Sequence, residues 1–221
     1  MLKRVIKKIK RVLHPSPSDS PKENFFKGAS VQIANSQIGE LCNLAHHADV
    51  LNSTIGNRTS IGRYSIVRNS DIGKYCSISW NVTIGADHHP TERVSGHAAF
   101  FQKRFCLVDE DSSKGVVQRT IIGNDVLIGC GTIIKAGVHV ADGCIIGMGS
   151  VVVKDTKPYT IVVGNPAREV KLRFEESIVH DLLKLEWWNM SDEFIRQNIE
   201  SFKQPLTEEI IKNLIDKKEK L

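Results

Sequence analysis

A strict six-residue period constrains the fold of this chain more than any other feature. The hexads IIGNDV, LIGCGT, IIKAGV, HVADGC, IIGMGS and VVVKDT follow one another without a gap up to Thr156. Each contains a β-branched aliphatic residue at the same place, and two residues earlier there is always a small or slim one. The aliphatic positions are Ile122, Ile128, Ile134, Val140, Ile146 and Val152. The slim positions are Thr120, Val126, Thr132, Val138, Cys144 and Ser150.

An earlier part of the chain repeats with a slightly shorter period. The pattern Asn-Ser-x-Ile-Gly occurs at Asn35, Asn52 and Asn69, so each unit holds two hexads and one pentad. Residues i and i−2 of a strand face the same way, so slim and aliphatic side chains would alternate inside a narrow prism. Both periods indicate a parallel β-helix whose coil has three short strands. We expect the three Asn side chains to stack as an amide ladder, and the glycines that follow the aliphatic residues to have positive φ.

The repeat is interrupted after Ile84 by a segment of about 26 residues. This inserted loop, at about 87–115, holds three His and three Phe. Loops longer than about 12–15 residues in compact domains are usually functional or disordered. The loop is therefore the first place to look for chemistry.

The two ends of the chain have a different composition from the repeats. Residues 1–30 contain a basic amphipathic segment, 1–13, with six Lys or Arg and no acid, and then a Pro/Ser linker at 14–21. Such a helix can lie on an anionic membrane surface, pack on a neighbouring subunit, or fray. Because this segment alone accounts for the net charge of +5, a basic groove for nucleic acid is not expected. No transmembrane or secretory segment is expected, and the buried positions of Cys42, Cys76 and Cys144 fit a reducing cytoplasm.

After the repeats, residues 172–221 are expected to form helices at about 173–187, 192–201 and 208–219. Ser191 and Thr207 are candidate N-caps of the last two. We expect these helices to cover the open end of the solenoid, whose unpaired strand edge would otherwise invite aggregation.

Outward-facing positions of the later coils are apolar on two faces. Leu127 and Ile145 share one face, and Ile133 and Val151 share the second. A monomer should not expose two such faces. Their burial by like subunits predicts a cyclic assembly, most simply a homotrimer.

Five stretches resemble the hexapeptide-repeat acyltransferases, in particular the virginiamycin-type and chloramphenicol (xenobiotic-type) acetyltransferases and related polysaccharide O-acetyltransferases. The stretches are IGKYCSI (72–78), HPTERVSGHAAFF (89–101), the hexads 122–156, PYTIVVGNPAREVK (158–171) and LLKLEWWN (182–189). The resemblance implies an all-β, left-handed parallel β-helix at 31–171, a homotrimer, acetyl-CoA as co-substrate, no metal, and active sites between subunits.

The resemblance also implies a catalytic His in the loop. The matching position is His89, directly before Pro90, with its neighbour His88 as the alternative. An imidazole suits the task, because an alcohol needs a base to become a nucleophile at neutral pH. For CoA, the matching positions are Cys130, Met148, Lys154, Arg168 and Lys171, of which the three cations would meet phosphates.

The sequence departs from the family pattern in the acceptor part of the loop. Ser95-Gly96 stands where the family often has Ser-Thr, and Leu127 stands where an aromatic residue is common. The acceptor is therefore open. The first hypothesis is O-acetylation of a sugar hydroxyl, such as that of a surface-polysaccharide precursor, by a cytoplasmic enzyme that is either free or peripheral to the membrane.

Three alternatives differ in class. One is an antibiotic-inactivating acetyltransferase for chloramphenicol- or streptogramin-like hydroxyls, and another is a non-catalytic solenoid scaffold. A γ-type carbonic anhydrase would need three His converging on zinc from the coil faces. His46 and His47 are adjacent in sequence and the remaining candidates share one loop, which disfavours that hypothesis.

Overall fold

The structure is a computed structural model that describes residues 24–86, 92–112 and 118–220. Its main body is a parallel β-helix of about seven turns, consistent with the left-handed type. Each coil contributes one short strand to each of three sheets.

Sheet 1 has eight strands and closes with an antiparallel hairpin. Sheets 2 and 3 have six and five strands. The strands of sheet 1 are β1 (Phe26–Lys27), β4 (Asn43–Leu44), β7 (Ser60–Ile61), β10 (Ser77–Ile78), β13 (Leu127–Ile128), β16 (Ile145–Ile146), β18 (Thr160–Gly164) and β19 (Ala167–Leu172). Those of sheet 2 are β2 (Gln32–Ala34), β5 (Asp49–Leu51), β8 (Ile66–Arg68), β11 (Thr83–Ala86), β14 (Ile133–Lys135) and β17 (Val151–Val152). Those of sheet 3 are β3 (Gln37–Ile38), β6 (Thr54–Ile55), β9 (Ser70–Ile72), β12 (Thr120–Ile122) and β15 (His139–Val140).

Strand pairing follows the two sequence periods. Stacked residues of the early coils, such as Ser53 and Ser70, are 17 apart, and those of the later coils, such as Asn124 and Asp142, are 18 apart. The inserted loop lies between the two arrays: Ser77 pairs directly with Leu127 as if the loop were absent. The fold predicted from the period is confirmed.

The core of the prism holds the two inward positions of each strand. The aliphatic residues from Leu44 to Val152 are almost completely buried, and the slim residues from Cys42 to Ser150 lie beside them. Hydroxyls in the slim positions bond to the next coil: Thr59 Oγ1 donates to the Gly73 carbonyl at 2.8 Å and accepts from the Cys76 N–H at 3.0 Å. Small polar residues thus satisfy backbone groups in a space too narrow for larger side chains.

The role predicted for the glycines after the aliphatic residues is wrong for all of them but Gly85. Their φ is not positive. A Cβ at Gly62 would instead lie 2.4 Å from the Ser79 carbonyl carbon of the next coil. The positive φ occurs two residues later, at residues such as Tyr64 (φ 58°) and Tyr75 (φ 58°). These glycines are needed because adjacent coils approach closely, not because the chain turns there.

The amide ladder is confirmed for one described pair. Asn52 Nδ2 donates to Asn69 Oδ1 at 3.3 Å, and both residues have left-handed backbone, with φ of 50° and 48°. Asn tolerates this conformation better than most residues because its short side chain can hydrogen-bond locally. The ladder is therefore a structural feature.

Four helices follow the hairpin, and two of the predicted caps are confirmed. Ser191 Oγ accepts from the Phe194 N–H at 3.1 Å, and Thr207 Oγ1 accepts from the Ile210 N–H at 3.2 Å. The first predicted helix begins later than expected, and the second is divided in two. The helices are α1 (Glu176–Leu185), α2 (Asp192–Gln197), α3 (Ile199–Lys203) and α4 (Glu208–Lys218).

The helices do not cover the end of the solenoid as expected. Strand β19 is the last strand of sheet 1, while the helices pack along a lateral corner. There the Tyr75 and Trp187 rings lie 4.7 Å apart, and Arg58 pairs with Asp192. A second core forms at this corner around Tyr159 and Trp188. At the end of sheet 1 the chain adds an antiparallel strand, β19, rather than a helix.

The predicted basic segment 1–13 and the linker 14–21 lie outside the described residues. Within the ranges that the structure describes, none of the helices has the length and apolar character that a membrane span requires.

Candidate active site

The three corners of the prism define where side chains can meet. We call the corner between sheets 1 and 2 the first corner, that between sheets 2 and 3 the second, and that between sheets 3 and 1 the third. At the first corner successive coils are joined by backbone bonds: Gly131 N–H donates to the Trp80 carbonyl at 3.1 Å, and Gly149 N–H donates to the Cys130 carbonyl at 2.9 Å. Cys130 and Met148 are therefore stacked neighbours. Met148 is 77% exposed and Cys130 is half-buried.

Glycines leave this part of the first corner bare. Gly131 and Gly149 have φ of 69° and 68°, and an added Cβ would have nothing within 4 Å at Gly149 and only the Gly149 Cα, at 4.0 Å, at Gly131. In the earlier coils the equivalent positions carry His47, Tyr64 and Asn81, which all have positive φ as well. Side chains are thus tolerated by this backbone conformation, and their absence here leaves an open strip beside Cys130 and Met148.

The hairpin places one cation at the end of the strip. Arg168 on β19 pairs with Val163, next to the hairpin turn, and is exposed. Lys171 pairs with Ile161, nearer the third corner, and is also exposed. Of the two predicted phosphate partners on this strand, Arg168 is the nearer in register to the first corner.

A half-buried ion pair anchors the segment that follows the hairpin. Arg173 Nη1 lies 3.2 Å from Asp125 Oδ2 and 2.6 Å from the Gly143 carbonyl. Burial raises the pKa of the Asp125 carboxyl above its ordinary value, and the charge of Arg173 acts in the opposite direction. Burial likewise raises the pKa of the Tyr159 hydroxyl beside them. The pair fixes the end of β19, and with it the base of the strand that carries Arg168 and Lys171.

Lys154 lies apart from these residues. It is exposed at the second corner of the last coil, where the adjacent Asp155 accepts from the His139 N–H at 2.8 Å. Sheet 2 separates this corner from Cys130 and Met148. A single chain therefore does not bring all five predicted CoA residues together.

The inserted loop leaves and returns at the second corner, the corner of Lys154. It follows β11 and precedes β12, and its return is held by Arg119. The Arg119 Nε lies 2.6 Å from Asp71 Oδ2, and its other nitrogens reach the Asn52 and Ser70 carbonyls. Hydrogen bonding to Arg119 holds the pKa of the Asp71 carboxyl below its usual value. The predicted catalytic residues His88 and His89 lie outside the described residues, so their geometry stays a prediction.

The described part of the loop, 92–112, is a compact unit with two short 3-10 helices, Ala98–Phe100 and Lys103–Phe105. The Ala99 N–H donates to His97 Nδ1 at 3.1 Å, and the His97 ring lies 5.4 Å from that of Phe105. Lys103 N–H donates to Asp111 Oδ1 at 2.7 Å. Since its Nδ1 accepts a backbone bond, the His97 ring caps the first 3-10 helix, which is a structural role.

Sequence reasoning missed the exposed aromatic residues of the first corner. Tyr64 and Trp80 are each 58% exposed, on adjacent coils before the bare strip. The 17-residue period could have found them, because Tyr64 follows His47 by 17 positions, and Trp80 follows Arg63 by 17. Among the residues in the described ranges, no three His, Cys, Asp or Glu side chains form a group that could hold a metal ion.

Comparison with known proteins places the chain in a class defined by its repeat. Residues 119–154 match the family model described as "Bacterial transferase hexapeptide (six repeats)". The fold is also that of a point mutant of AntD, an N-acyltransferase from Bacillus cereus, whose structure is in complex with dTDP and coenzyme A. The TM-score is 0.56 at 17% identity, and the match covers 82% of this chain and 96% of that one. The chain thus contains this hexapeptide repeat and shares the β-helix fold of that structure.

Within that class, the most informative similarities are to acetyltransferases. The chain is 52% identical over 81 residues to a probable macrolide acetyltransferase of Lysinibacillus sphaericus, covering 37% of this chain and 45% of that protein. It is 36% identical over 127 residues to a chloramphenicol acetyltransferase of Agrobacterium fabrum, covering 55% and 60% respectively. It thus aligns with less than two thirds of the length of either relative. The resemblance to the virginiamycin- and chloramphenicol-type branch is confirmed.

Proposed function

We propose that this protein is an acetyl-CoA-dependent O-acetyltransferase that moves an acetyl group to a hydroxyl of a saccharide. The observation that carries the proposal is the bare strip at the first corner, with Cys130 and Met148 along it and Arg168 at its end. A bare strip of this kind leaves room for a thin chain such as the pantetheine arm of CoA. Arg168 and Lys171 supply cations for its phosphates. The similarity to acetyltransferases supports the same donor.

In the proposed reaction, His89 accepts the proton of the acceptor hydroxyl as the oxygen attacks the thioester carbonyl. The tetrahedral oxyanion then collapses, the carbon–sulfur bond breaks, and the CoA thiolate takes the proton from the imidazolium. The products are an acetyl ester and CoA with a free thiol. No acyl-enzyme is needed, because an enzyme that holds the two substrates together lowers the entropic part of the barrier to direct transfer.

The separation of the corners supports an active site between subunits. In a cyclic homotrimer, sheet 1 of one copy would face sheet 2 of the next. We expect one copy to supply the second corner, with Lys154 and the loop, and its neighbour to supply the first corner, with Cys130, Met148 and Arg168. The apolar residues Leu127 and Ile133 are 45% and 41% exposed in the single chain, which is the pattern expected of two faces that a partner covers.

The test of the base is a pair of single substitutions assayed by free-thiol release from acetyl-CoA. His89→Ala should lower the transfer rate by about 100-fold or more, the usual contribution of general-base catalysis. His88→Ala is the matched control and should change the rate by less than about tenfold. Equal activity of His89→Ala and the unmodified protein, with both folded, would overturn the proposed mechanism. If His88→Ala instead is inactive, the base is the neighbouring residue.

The intersubunit site is tested by complementation. Trimers of His89→Ala or of Arg168→Glu alone should be poorly active. Mixed trimers refolded from the two variants should regain activity. Some of their sites then combine an intact loop from one copy with an intact strip and Arg168 from the other. Mixed trimers that stay as inactive as the parents would place the whole site within one chain.

A second candidate is inactivation of an antibiotic hydroxyl, favoured by the similarity to chloramphenicol and macrolide acetyltransferases. Expression in a sensitive host discriminates the two: resistance to chloramphenicol, a streptogramin or a macrolide would support this second candidate. A scaffold without activity would show no heat of binding in a calorimetric titration with CoA.

A further inference from the structure

The early coils carry an exposed aromatic surface on the same corner as the proposed CoA strip. We define the aromatic platform as His47, Tyr64 and Trp80. The His47 and Tyr64 rings are stacked, with centroids 4.9 Å apart and planes 3° apart. Tyr64 and Trp80 are each 58% exposed. Neither is in the core cluster of the solenoid, so their size is not needed for its packing.

The platform continues the bare strip along the solenoid axis. Trp80 is in the coil directly before Cys130, and the Trp80 carbonyl accepts from the Gly131 N–H at 3.1 Å. Tyr64 lies one coil further away, about 4.8 Å along the axis. A ligand on the platform would therefore meet the end of a chain lying along Cys130 and Met148.

The surroundings of the platform are polar, which separates it from the apolar faces of the later coils. On sheet 1 its flanks carry Asn43, Ser60 and Ser77, where the later coils carry Leu127. On sheet 2 they include Asp49 and Thr83, with Ile66 between them. A surface made to bind a second copy would continue the apolar pattern. Flat aromatic rings beside hydroxyl, amide and carboxylate groups instead match a ligand with apolar C–H faces and a rim of hydroxyls.

We infer that the aromatic platform is the binding surface for a saccharide acceptor, whose sugar rings stack on Tyr64 and Trp80 and hydrogen-bond to the polar flanks. The inference rests on the proposed transferase function and names its acceptor class. Aromatic rings hold such a ligand through their faces, and the polar groups fix its orientation. The platform spans more than one coil, so we expect an oligosaccharide to bind more tightly than a single sugar.

Trp80 is itself a reporter for the test. The chain has three Trp; Trp188 is buried at 5% exposure and Trp187 is half-buried, so Trp80 is the most exposed of them. Acrylamide quenching of tryptophan fluorescence is measured with and without hexasaccharides of glucose, N-acetylglucosamine and galacturonic acid. At least one hexasaccharide should protect Trp80 from acrylamide, and the corresponding monosaccharide should protect it less.

Variants locate the binding. Tyr64→Ala should weaken hexasaccharide binding about tenfold, as expected for the loss of one aromatic contact, and Trp80→Phe should keep most of it. In the transfer assay, Trp80→Ala should raise the KM for the saccharide about tenfold with kcat nearly unchanged. Leu41→Ala is the control, since Leu41 is an exposed apolar residue, 42% exposed, at the third corner. It should change neither quantity.

Several outcomes would overturn the inference. They are no protection by any of the three hexasaccharides, protection that persists in Tyr64→Ala, protection by adenosine alone, or shielding of Trp80 without saccharide that grows with protein concentration. The last would mean that a second copy covers the platform. Calorimetry with CoA separates this inference from the proposed function. If CoA binds and thiol is released but no saccharide binds, the transferase function is supported and the role of the platform is wrong. If a saccharide binds but CoA does not, the platform is supported and the transferase function is wrong.

Discussion

The two arrays of coils in this solenoid share one backbone plan and differ in what they expose. The coils before the loop have 17 residues, outer faces that are polar except at Ile66, and corners occupied by Asn, Tyr, His, Arg or Leu side chains. The coils after it have 18 residues, apolar outer faces, and corners with Gly131, Gly137, Gly143 and Gly149. The inward positions are the same in both arrays. The shared inward residues thus determine the fold. The outward residues differ: those of the early coils suit a polar ligand, and those of the later coils suit a protein partner and a thin cofactor.

A charged substitution on the outer face of the later coils tests whether that apolar face binds a second copy. Leu127 lies in the interface of the proposed homotrimer, so Leu127→Glu should shift that trimer to a monomer in size-exclusion chromatography with light scattering. Activity should fall about 100-fold as the site between subunits is lost. Gln37→Glu changes an exposed outward position of sheet 3 and should leave both properties unchanged. A trimeric, active Leu127→Glu variant would mean that this face is not an interface.

Glycines that follow the aliphatic residues and glycines at the first corner should respond differently to a methyl group. Gly62→Ala places a Cβ 2.4 Å from the Ser79 backbone, so the coils must separate, and we expect a loss of about 3 kcal/mol in the free energy of unfolding. Gly149→Ala meets open space and is opposed only by its φ of 68°, at about 1 kcal/mol. Urea denaturation measures both. Similar losses at the two positions would contradict the distinction between close approach and turning.

The amide ladder of the early coils should contribute a smaller amount. Asn69→Ala removes the bond from Asn52 Nδ2 and leaves Ala with a φ of about 48°, which we expect to cost about 1–2 kcal/mol. Asn69→Gly loses the same bond but fits the backbone, and should be the more stable of the two. If the Gly variant is the less stable of the two, the positive φ at position 69 does not set the cost of the substitution.

The smallest expected effect is at the exposed ion pair of Arg119 with Asp71, which joins the end of the loop to the early coils. Because hydrogen bonding to Arg119 lowers the pKa of Asp71 in the folded state, the stabilisation is present above the ordinary Asp pKa of about 4 and is lost as the pH falls through the lower folded value. Both side chains are nearly half exposed, so the contribution should be at most about 1 kcal/mol. Asp71→Asn should remove this part of the acid dependence of unfolding, as measured by urea denaturation at several pH values.

Most of the fold was predictable because the prism admits few side chains. The periods of 17 and 18, the inward residues, the ladder at Asn52 and the outward Leu127 all follow from alternation in a narrow core. The corner geometry could not be predicted, because residue type does not indicate a positive φ at Tyr64 or Arg58. The position of the helices could not be predicted either, because it depends on lateral contacts such as that of Tyr75 with Trp187. For the site, resemblance selected Cys130, Met148 and Arg168, which share the region of the first corner. Resemblance alone groups Lys154 with them, whereas the 18-residue period could have shown that Lys154, six residues after Met148, lies at the next corner.

The attachment of the inserted loop has a consequence for how such proteins diversify. β11 and β12 are both held in the coil stack, through pairing with β14 and with β9, so the two ends of the loop are fixed whatever lies between them. The entropy of closing a flexible loop rises only with the logarithm of its length, about 0.6 kcal/mol per doubling. Insertions, deletions or whole replacements between Ala86 and Arg119 should therefore be almost free of thermodynamic penalty. The solenoid can remain constant over evolutionary time while the segment above it is exchanged to accept new substrates.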